Sequence, residues 1–337
     1  MVGNVRSGLN EKMKSIQTPI LLITFNRPNH TRRVLEAIKN IQICDLYVFQ
    51  DGARQSNEGD VVKCESVRCV IEEMTSGTGF RIHKYFSDKN LGCGPGPAAA
   101  LDWFFEHEKM GIVLEDDAVP HPDFFLYAEE LLQKYEEDES VFAIGSMNVD
   151  TQKWGDGSYY FSMMNRNLCA WATWRRAWEH FDLRVLDVSC RQLRNALRWY
   201  GCGQLEQEYW CNRLIDVQKD GCEGQSWDMQ FFMSIWLNHG KGIIPNVNLS
   251  SNIGIGEEAT HVISAGSLID NVPTQSILPV CHPSSYNVQR DADRQFHFRY
   301  FEIDKAGWGR IRTCYYVLNK RLKRMVGHHG SWLRGNK

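Results

Sequence analysis

The sequence lacks the features that mark several large classes of protein. Its 337 residues contain no apolar run approaching the roughly 20 residues that a membrane-spanning helix needs. The first 17 residues are polar and lack the apolar core of a secretory signal peptide. Eleven cysteines are present, an odd number, and no two have the CxxC spacing typical of zinc sites. We therefore expect a cytoplasmic protein whose cysteines are mostly free, buried thiols.

Acidic side chains are missing from the last part of the chain. Residues 305–337 carry nine Lys or Arg side chains and no Asp or Glu, although the formal net charge of the whole chain is −3. The acidic balance of the remainder argues against a nucleic-acid partner. The basic segment predicts either peripheral contact with an anionic membrane surface, or a tail that is disordered or packs against another subunit.

Short apolar runs alternate with helical patterns over the first 150 residues. The apolar runs that predict buried strands lie at 19–25, 46–49, 81–86, 111–114 and 141–144. The helical patterns between them lie at about 29–40, 61–74, 98–107 and 122–137. Further along, helices are expected at 190–199, 228–238 and 311–326, and a strand at 242–245. Strand, helix and strand in succession predict parallel β-α-β units with right-handed connections, and hence an α/β fold.

Three consecutive carboxylates, Glu115, Asp116 and Asp117, follow the fourth predicted strand directly. Like charges this close repel one another, and a bound divalent cation such as Mg²⁺ or Mn²⁺ would relieve the repulsion. Ligand crevices in open α/β sheets lie outside such carboxyl strand ends. The alternative is a solvated acidic turn that caps the next helix. The buried run before the triplet and the segment 120–125 after it favour a functional site.

Two other polar residues follow predicted strands at the same edge of the sheet. Arg27 comes directly after the first strand, and Asp51 after the second. An arginine at this position can pair with a diphosphate, and an aspartate can accept a hydrogen bond from the imide N–H of a uracil ring. Helix capping and turn formation are the alternatives for both residues.

Later segments offer further candidates. Asp228 follows a tryptophan, which would desolvate it and favour a role as general base; the alternative is a helix N-cap. His261 ends a glycine-bearing loop at 252–261 and would contact a metal or a diphosphate, unless it does neither. The segment 171–178 interleaves tryptophans with arginines, which predicts either stacking on a sugar or base, or a packing face.

In this order, the features resemble those of the GT-A glycosyltransferases. The chain is most similar to bacterial haemolytic-protein HlpA-like glycosyltransferases and, more distantly, to the N-acetylglucosaminyltransferase I family. The resemblance covers about three quarters of the chain. The segments that carry it are 19–28, 31–35, 50–52, 113–117, 122–125, 171–178, 227–228 and 259–261.

The resemblance implies a GT-A, or nucleotide-diphospho-sugar transferase, fold with a Rossmann-like, mostly parallel sheet flanked by helices. Residues 17–150 would form the half that binds the nucleotide sugar, and residues 151–272 the acceptor and catalytic half of the same domain. Residues 273–337 would form a helical or irregular, basic extension. The implied activity is the metal-dependent transfer of a hexosyl or N-acetylhexosaminyl group, such as N-acetylglucosamine, from a UDP-sugar to a carbohydrate or lipid-linked acceptor.

The resemblance also implies roles for the residues that match its motifs. Arg27 and Asp51 would hold the nucleotide, whereas Glu115 and Asp116 would contact the ribose and the donor sugar.

The remaining implied roles concern the leaving group and the acceptor. Asp117 would bind Mn²⁺ or Mg²⁺ with His261 beside it, and Thr260 would touch the diphosphate. Asp228 would deprotonate the acceptor hydroxyl in an inverting displacement.

One segment departs from the family pattern and leaves two other functions open. Residues 94–100 carry no polar or basic side chain, which is typical of a GT-A-like protein that binds a sugar or a partner without turnover. A nucleotidyltransferase that makes sugar nucleotides shares the architecture. It would normally place a glycine-rich loop with Lys or Arg after the first strand, where residues 26–28 are Asn-Arg-Pro.

Overall fold

The computed structural model describes residues 15–150, 152–166, 170–220, 227–254 and 271–301, together with positions 315, 318, 319 and 322. The strands of a large sheet are β1 (Ile20–Thr24), β2 (Asp45–Gln50), β3 (Arg81–Phe86), β4 (Met110–Glu115), β6 (Val141–Gly145), β7 (Tyr159–Ser162), β8 (Ala170–Trp174) and β9 (Lys241–Pro245). A two-stranded sheet pairs β5 (Ala118–Pro120) with β10 (Ser250–Asn252).

Helices flank the large sheet. Within the described residues they are α1 (Pro28–Lys39), α2 (Gly59–Thr75), α3 (Pro95–His107), α4 (Pro122–Lys134), α5 (Arg175–Trp178), α6 (Cys190–Trp199), α7 (Gln204–Asp220), α8 (Asp228–Leu237) and α9 (Arg290–Tyr300).

The strand order of the large sheet is β3-β2-β1-β4-β8-β6-β9-β7. Its parallel members are β1, β2, β3, β4, β6 and β9, whereas β8 and β7 run antiparallel to their neighbours. The predicted α/β fold, with a mostly parallel sheet flanked by helices, is confirmed. Both predicted halves of the domain contribute strands to this one sheet.

The direction of chain progression reverses between β1 and β4. From β1 the chain moves outward through β2 to β3 and then returns to place β4 on the other side of β1. In open α/β sheets a ligand crevice forms where the strand order reverses in this way, outside the carboxyl ends of the two strands. The register sets Ile23 beside Glu115, so the acidic triplet lies at this switch point.

Both faces of the sheet are covered, which explains the continuous apolar strands. Along β1, Leu21 and Ile23 join the core beneath α3 and α5 to α8, whereas Ile20 and Leu22 join the core beneath α1, α2 and α4. A strand buried on both faces has no polar alternation, and its sequence is a short apolar run.

Several elements were not predicted from the sequence, namely β5, β7, β8, β10, α5, α7 and α9. The segment 171–178 forms most of β8 and the whole of α5. Trp171 and Trp174 are buried there, which supports packing rather than ligand stacking.

The start of α1 also differs from the prediction. Pro28 is its first residue and Arg27 its N-cap, whereas the sequence pattern began the helix at about residue 29. The predicted helix at 311–326 falls largely outside the described residues.

Within the part of the chain that the structure describes, no helix is both long and apolar enough to cross a membrane. The eight cysteines in the same part are all free thiols.

Candidate functional site

A tight turn between β4 and β5 holds the three consecutive carboxylates. Glu115 is the last residue of β4, and Asp116 and Asp117 form the turn into β5. Because β5 pairs with β10, the turn is anchored on its far side. The chain therefore presents three acidic side chains within one turn, at the carboxyl end of a buried strand. We call Glu115, Asp116 and Asp117 the acidic edge.

Arg27 reaches the acidic edge from the end of β1. Its Nη1 atom lies 2.9 Å from Asp117 Oδ2 and 3.5 Å from Asp116 Oδ1. The side chains are 11%, 10% and 15% exposed for Arg27, Asp116 and Asp117, so these contacts are largely shielded from water. The backbone N–H of Phe25 also donates to Asp116 Oδ2, at 3.3 Å. The predicted meeting of Arg27 with the acidic triplet is therefore seen in the structure.

Arg27 does not neutralise all three carboxylates of the acidic edge, and burial works against their charged forms. Burial raises the pKa of Glu115 well above its usual range, and the charges of Asp117, Asp116 and Asp228 raise it further, against the opposing effect of Arg27. Burial and Asp117 likewise raise the pKa of Asp116. One guanidinium group does not offset three adjacent carboxylates, so the site favours an additional positive charge.

The chemistry of Asp117 fits a hard cation. Its Oδ1 atom is buried and has no hydrogen-bond partner. Magnesium is commonly held by one or two carboxylates together with substrate phosphate oxygens. Among the described residues no three His, Cys, Asp or Glu side chains form a metal-binding cluster. The residues present therefore fit an ion that shares Asp117 with a phosphate group, rather than a cage made by the protein alone.

The segment after β10 passes directly over Asp117. The backbone N–H of Ile253 donates to the carbonyl oxygen of Asp117 at 2.8 Å. A Cβ atom at Gly254 would collide with the Asp117 carboxylate, so only glycine fits there without displacing it. Sequence reasoning did not single out Gly254, although it lies in the glycine-bearing loop. Thr260 and His261 follow a few residues later and lie outside the described residues.

Asp51 lies at the carboxyl end of β2, and its carboxylate faces the chain that leaves β3. Oδ1 accepts hydrogen bonds from the backbone N–H groups of Gly52, at 2.9 Å, and Leu91, at 2.8 Å. Oδ2 accepts from the N–H of Gly92 and from Asn90 Nδ2, each at 3.0 Å. Burial raises the pKa of Asp51 against the effect of these backbone donors. A carboxylate has about four lone-pair positions, and all of them are used here.

Asp228 is the first residue of α8, whose N-cap is Trp227. The N-cap alternative for Asp228 is therefore wrong. Its Oδ1 accepts a hydrogen bond from the N–H of Met229 at 2.9 Å. Asp228 lies near enough to Glu115 for its charge to raise the pKa of that carboxyl group. Trp227 is 2% exposed and packs against Trp171 with ring centroids 5.6 Å apart, so apolar side chains back this part of the site.

Cys93 belongs to the same site, although sequence reasoning did not single out its thiol. Burial raises the pKa of Cys93, and the charges of Asp228, Glu115 and Asp51 raise it further, which places the thiol near all three carboxylates. The glycines and prolines around it were the available signal, because they mark the loop as unusual. They do not reveal which side chain of the loop faces the acidic edge.

The N-terminus of α3 offers few donors to a phosphate group. Pro95 and Pro97 have no N–H groups, and the N–H of Gly96 is bonded to Gly92 O at 2.9 Å. Phosphate binding at a helix N-terminus depends on free N–H groups. The backbone of residues 95–97 therefore does not replace the polar side chains that residues 94–100 lack. Any diphosphate at this site would rely on Arg27 and a cation.

Comparisons with known proteins give weak likenesses. No family model matches the chain. It is similar to the structure of apo UDP-glucose pyrophosphorylase, with a TM-score of 0.36 and 8% identity over 70% of this chain and 93% of that one. A UDP-glucose pyrophosphorylase complexed with UDP-glucose gives a TM-score of 0.29 and 10% identity over 49% of this chain and 79% of that one.

A putative glucose-1-phosphate thymidylyltransferase from Bacillus anthracis, in complex with a sucrose, is a third such structure. Its TM-score is 0.27 and its identity 13%, over 63% of this chain and 98% of that one. Likenesses at this level carry no argument about activity, which therefore depends on the geometry of the site. The two family resemblances drawn from the sequence motifs remain predictions.

Proposed function

We propose that the protein is a metal-dependent glycosyltransferase that binds a nucleotide sugar at the acidic edge. The observation that carries the proposal is the buried, unpartnered Oδ1 of Asp117, at the switch point of the sheet and beside Arg27. Three carboxylates next to one arginine are suited to a cation bound together with a diphosphate. The carboxylates would bind the cation, and the arginine would bind the diphosphate.

The nucleotide sugar, a UDP-sugar in this proposal, would lie across the ends of β1, β2 and β4. Arg27 would pair with the diphosphate, and Glu115 and Asp116 would accept hydrogen bonds from the ribose and donor-sugar hydroxyls. Asp51 would contribute to the nucleotide site at the end of β2. These are the groups whose burial and spacing support the binding of a polar, anionic ligand.

Asp117, with His261 from the segment outside the described residues, would hold Mn²⁺ or Mg²⁺. The ion, when bound, would act as a Lewis acid on the departing diphosphate. Thr260 would add a hydrogen bond to the diphosphate. Arg27 would share the negative charge that develops there, because it already touches two of the three acidic side chains.

Asp228 would be the general base. It is half-buried, its charge acts on Glu115, and the buried Trp227 and Trp171 pack together at this end of α8. It would take the proton from an acceptor hydroxyl as that oxygen attacks the anomeric carbon, with inversion. The transferred group would be a hexosyl or N-acetylhexosaminyl unit such as N-acetylglucosamine, and the acceptor a carbohydrate or a lipid-linked sugar.

Two other functions each have one observation in their favour. A sugar-nucleotide nucleotidyltransferase would also need a basic residue directly after β1, and Arg27 occupies that position. In this protein, however, the connection from β1 to α1 spans only residues 25–27 and holds no glycine, so the glycine-rich loop expected of a nucleotidyltransferase is not formed there. A binding protein without turnover would tolerate an α3 N-terminus with few donors, as seen here.

The test is an activity screen with matched variants. UDP-sugars with Mn²⁺ would be assayed for transfer and slow hydrolysis, and UTP with sugar 1-phosphates for pyrophosphate release. Asp117→Asn and Asp228→Asn change residues of the site, and Asp187→Asn changes an exposed aspartate on the connection before α6. We expect a loss of turnover of at least about 100-fold for the first two variants and none for the third.

Each outcome selects one function. Hydrolysis of a UDP-sugar that Asp228→Asn abolishes, with UDP binding retained, supports the glycosyltransferase. Pyrophosphate release from UTP would replace it with the nucleotidyltransferase. Metal-dependent UDP binding without either reaction would leave a binding protein.

We also propose that the basic segment 305–337 contacts an anionic membrane surface. This segment falls almost wholly outside the described residues, and its nine unopposed positive charges are the support. Co-sedimentation with anionic liposomes should fall when the segment is deleted. Unchanged co-sedimentation would remove this part of the proposal.

A further inference from the structure

The chain between β3 and α3 is fastened to Asp51. We call residues 87–94 the β3–α3 loop. Of the four hydrogen bonds that fill the Asp51 carboxylate, three come from this loop, through Leu91 N, Gly92 N and Asn90 Nδ2. The Asn90 amide also donates to the carbonyl oxygen of Gly52, at 2.8 Å. The loop therefore wraps around one buried carboxylate.

Two glycines allow the approach to be this close. A Cβ atom at Gly52 would collide with the backbone of Lys89, so the residue after Asp51 must be glycine for the loop to sit here. Gly92 has φ +86°, a left-handed conformation that L side chains rarely adopt, and its N–H is one of the donors to Asp51. The sequence thus supplies a loop shaped to fit the carboxylate.

The loop carries a side chain into the candidate site. Cys93 follows Gly92 directly, and its thiol lies within the electrostatic reach of Asp228 and Glu115. The position of the loop therefore sets where the Cys93 thiol lies relative to these carboxylates. A shift of the loop would therefore change the affinity for any ligand that lies across the ends of β1 and β2.

We infer that Asp51 is a positioning residue, which holds the β3–α3 loop and with it Cys93 beside the nucleotide-sugar site, rather than a direct hydrogen-bond acceptor for the base. The inference rests on the proposed function for the nature of the ligand. The fastening of the loop itself does not depend on that function. With its lone pairs already occupied, Asp51 would have to give up a loop contact in order to accept an imide N–H.

Two variants separate the roles, because they act on the same hydrogen bonds from opposite sides. Asp51→Asn replaces one acceptor oxygen by an NH2 group, which cannot accept the hydrogen bonds that the loop donates at that position. Asn90→Ala leaves the carboxylate intact and removes one loop contact, so a carboxylate that binds the base directly would be no worse placed and would gain a free lone pair. Asn195→Ala, at an exposed position of α6, is the matched control.

The first measurement is hydrogen–deuterium exchange of peptides covering residues 87–94, together with the rate at which iodoacetamide alkylates Cys93. Both Asp51→Asn and Asn90→Ala should speed exchange in the loop by about tenfold and make Cys93 react faster. The control should match the unaltered protein. Neither readout needs a nucleotide, so a failure of the proposed function leaves them interpretable.

The second measurement is titration with UDP and Mn²⁺. A positioning role predicts that Asn90→Ala weakens UDP binding several-fold, in the same direction as Asp51→Asn. The inference is overturned if Asp51→Asn abolishes UDP binding with unchanged loop exchange while Asn90→Ala binds normally. It is equally overturned if neither variant alters exchange in the loop. If the unaltered protein binds no UDP, the proposed function fails and the exchange data alone decide the role of Asp51.

Discussion

Two clusters of buried charge in this protein differ in how completely their members are neutralised. The first is the acidic edge, where three carboxylates share Arg27. The second, which we call the α9 network, joins α9 to the sheet and to α7. Its members are Asp150, Arg166, Glu206, Arg290 and Asp293.

Within the α9 network each carboxylate has close partners of its own. Asp150 accepts a hydrogen bond from Arg166 Nη1 at 2.6 Å, and Glu206 from Arg290 Nη2 at 3.0 Å. Asp293 is fully buried and accepts from Ser162 Oγ and from the N–H of Met163. By contrast, Asp117 in the acidic edge has a buried oxygen with no partner. Arg166 Nε and Nη2 and Arg290 Nε are buried without a hydrogen-bond partner as well, so the two clusters differ in how their carboxylates are paired and not in complete saturation. Paired carboxylates are typical of structural networks, and a carboxylate oxygen left unpaired is typical of a site that binds a ligand.

The largest expected effect on stability comes from the α9 network. Asp293→Ala should lower the free energy of unfolding by about 4 kcal/mol, because it removes a buried carboxylate that faces Arg166 and Arg290 and leaves the buried donors Ser162 Oγ and Met163 N–H without their acceptor. Urea unfolding at pH 7 measures the change. A loss below 1 kcal/mol would show that the network is not structural.

The second prediction concerns the glycine that packs on the acidic edge. Gly254→Ala should weaken UDP binding in the presence of Mn²⁺ by about 100-fold, because the added Cβ displaces the Asp117 carboxylate. Gly203→Ala is the control, since the nearest atom to a Cβ there is 3.9 Å away. Calorimetric titration of both variants measures the effect. Equal affinities would mean that the position of Asp117 does not matter for the ligand.

The two clusters should also differ in their response to pH. Burial alone would raise the pKa of Glu206, but His297, Arg290 and the N–H of Gly203 outweigh it and lower the pKa to about 2. The pKa of Glu206 in the folded protein lies below the ordinary glutamate value of 4.5, so Glu206 stabilises the fold fully above pH 4.5 and loses this effect as the pH falls towards 2.

The contribution of Glu206 at neutral pH should be about 2 kcal/mol after an allowance for solvent screening. Urea unfolding of the unaltered protein and of Glu206→Gln at pH 7, 4 and 3 measures it. The difference between the two proteins should shrink as the pH falls. A difference that stays constant would contradict the assignment.

The smallest expected effect has the opposite sign. Asp117→Asn should leave the free energy of unfolding unchanged or raise it by up to about 1 kcal/mol at pH 7, because it removes one of three repelling carboxylates. Glu115 and Asp116 have raised pKa values, so their repulsion weakens the fold increasingly as the pH rises through the acidic range. Thermal unfolding beside Asp187→Asn measures the change. A clear loss of stability would show that the ion pair between Asp117 and Arg27 stabilises the fold.

The strands β1, β2, β4 and β6 were predicted well from the sequence because they are buried on both faces. A run such as that of β1 is visible without knowledge of its neighbours. Elements in the later part were missed for the opposite reason. β8 is a five-residue strand whose tryptophans suggest stacking, and α9 is largely polar along its length. Their formation depends on partners far away in the chain, such as β4 for β8 and Ser162 for Asp293.

The sequence by itself determined that Arg27 meets the acidic edge and that Asp51 lies at the same edge of the sheet, since parallel strands bring their carboxyl ends to one side. Only the tertiary structure decided what each group does there. It satisfies every lone pair of Asp51 with the β3–α3 loop and leaves one oxygen of Asp117 unsatisfied. Hydrogen-bond saturation depends on the approach of segments 40 to 90 residues apart, which no local pattern of residues records.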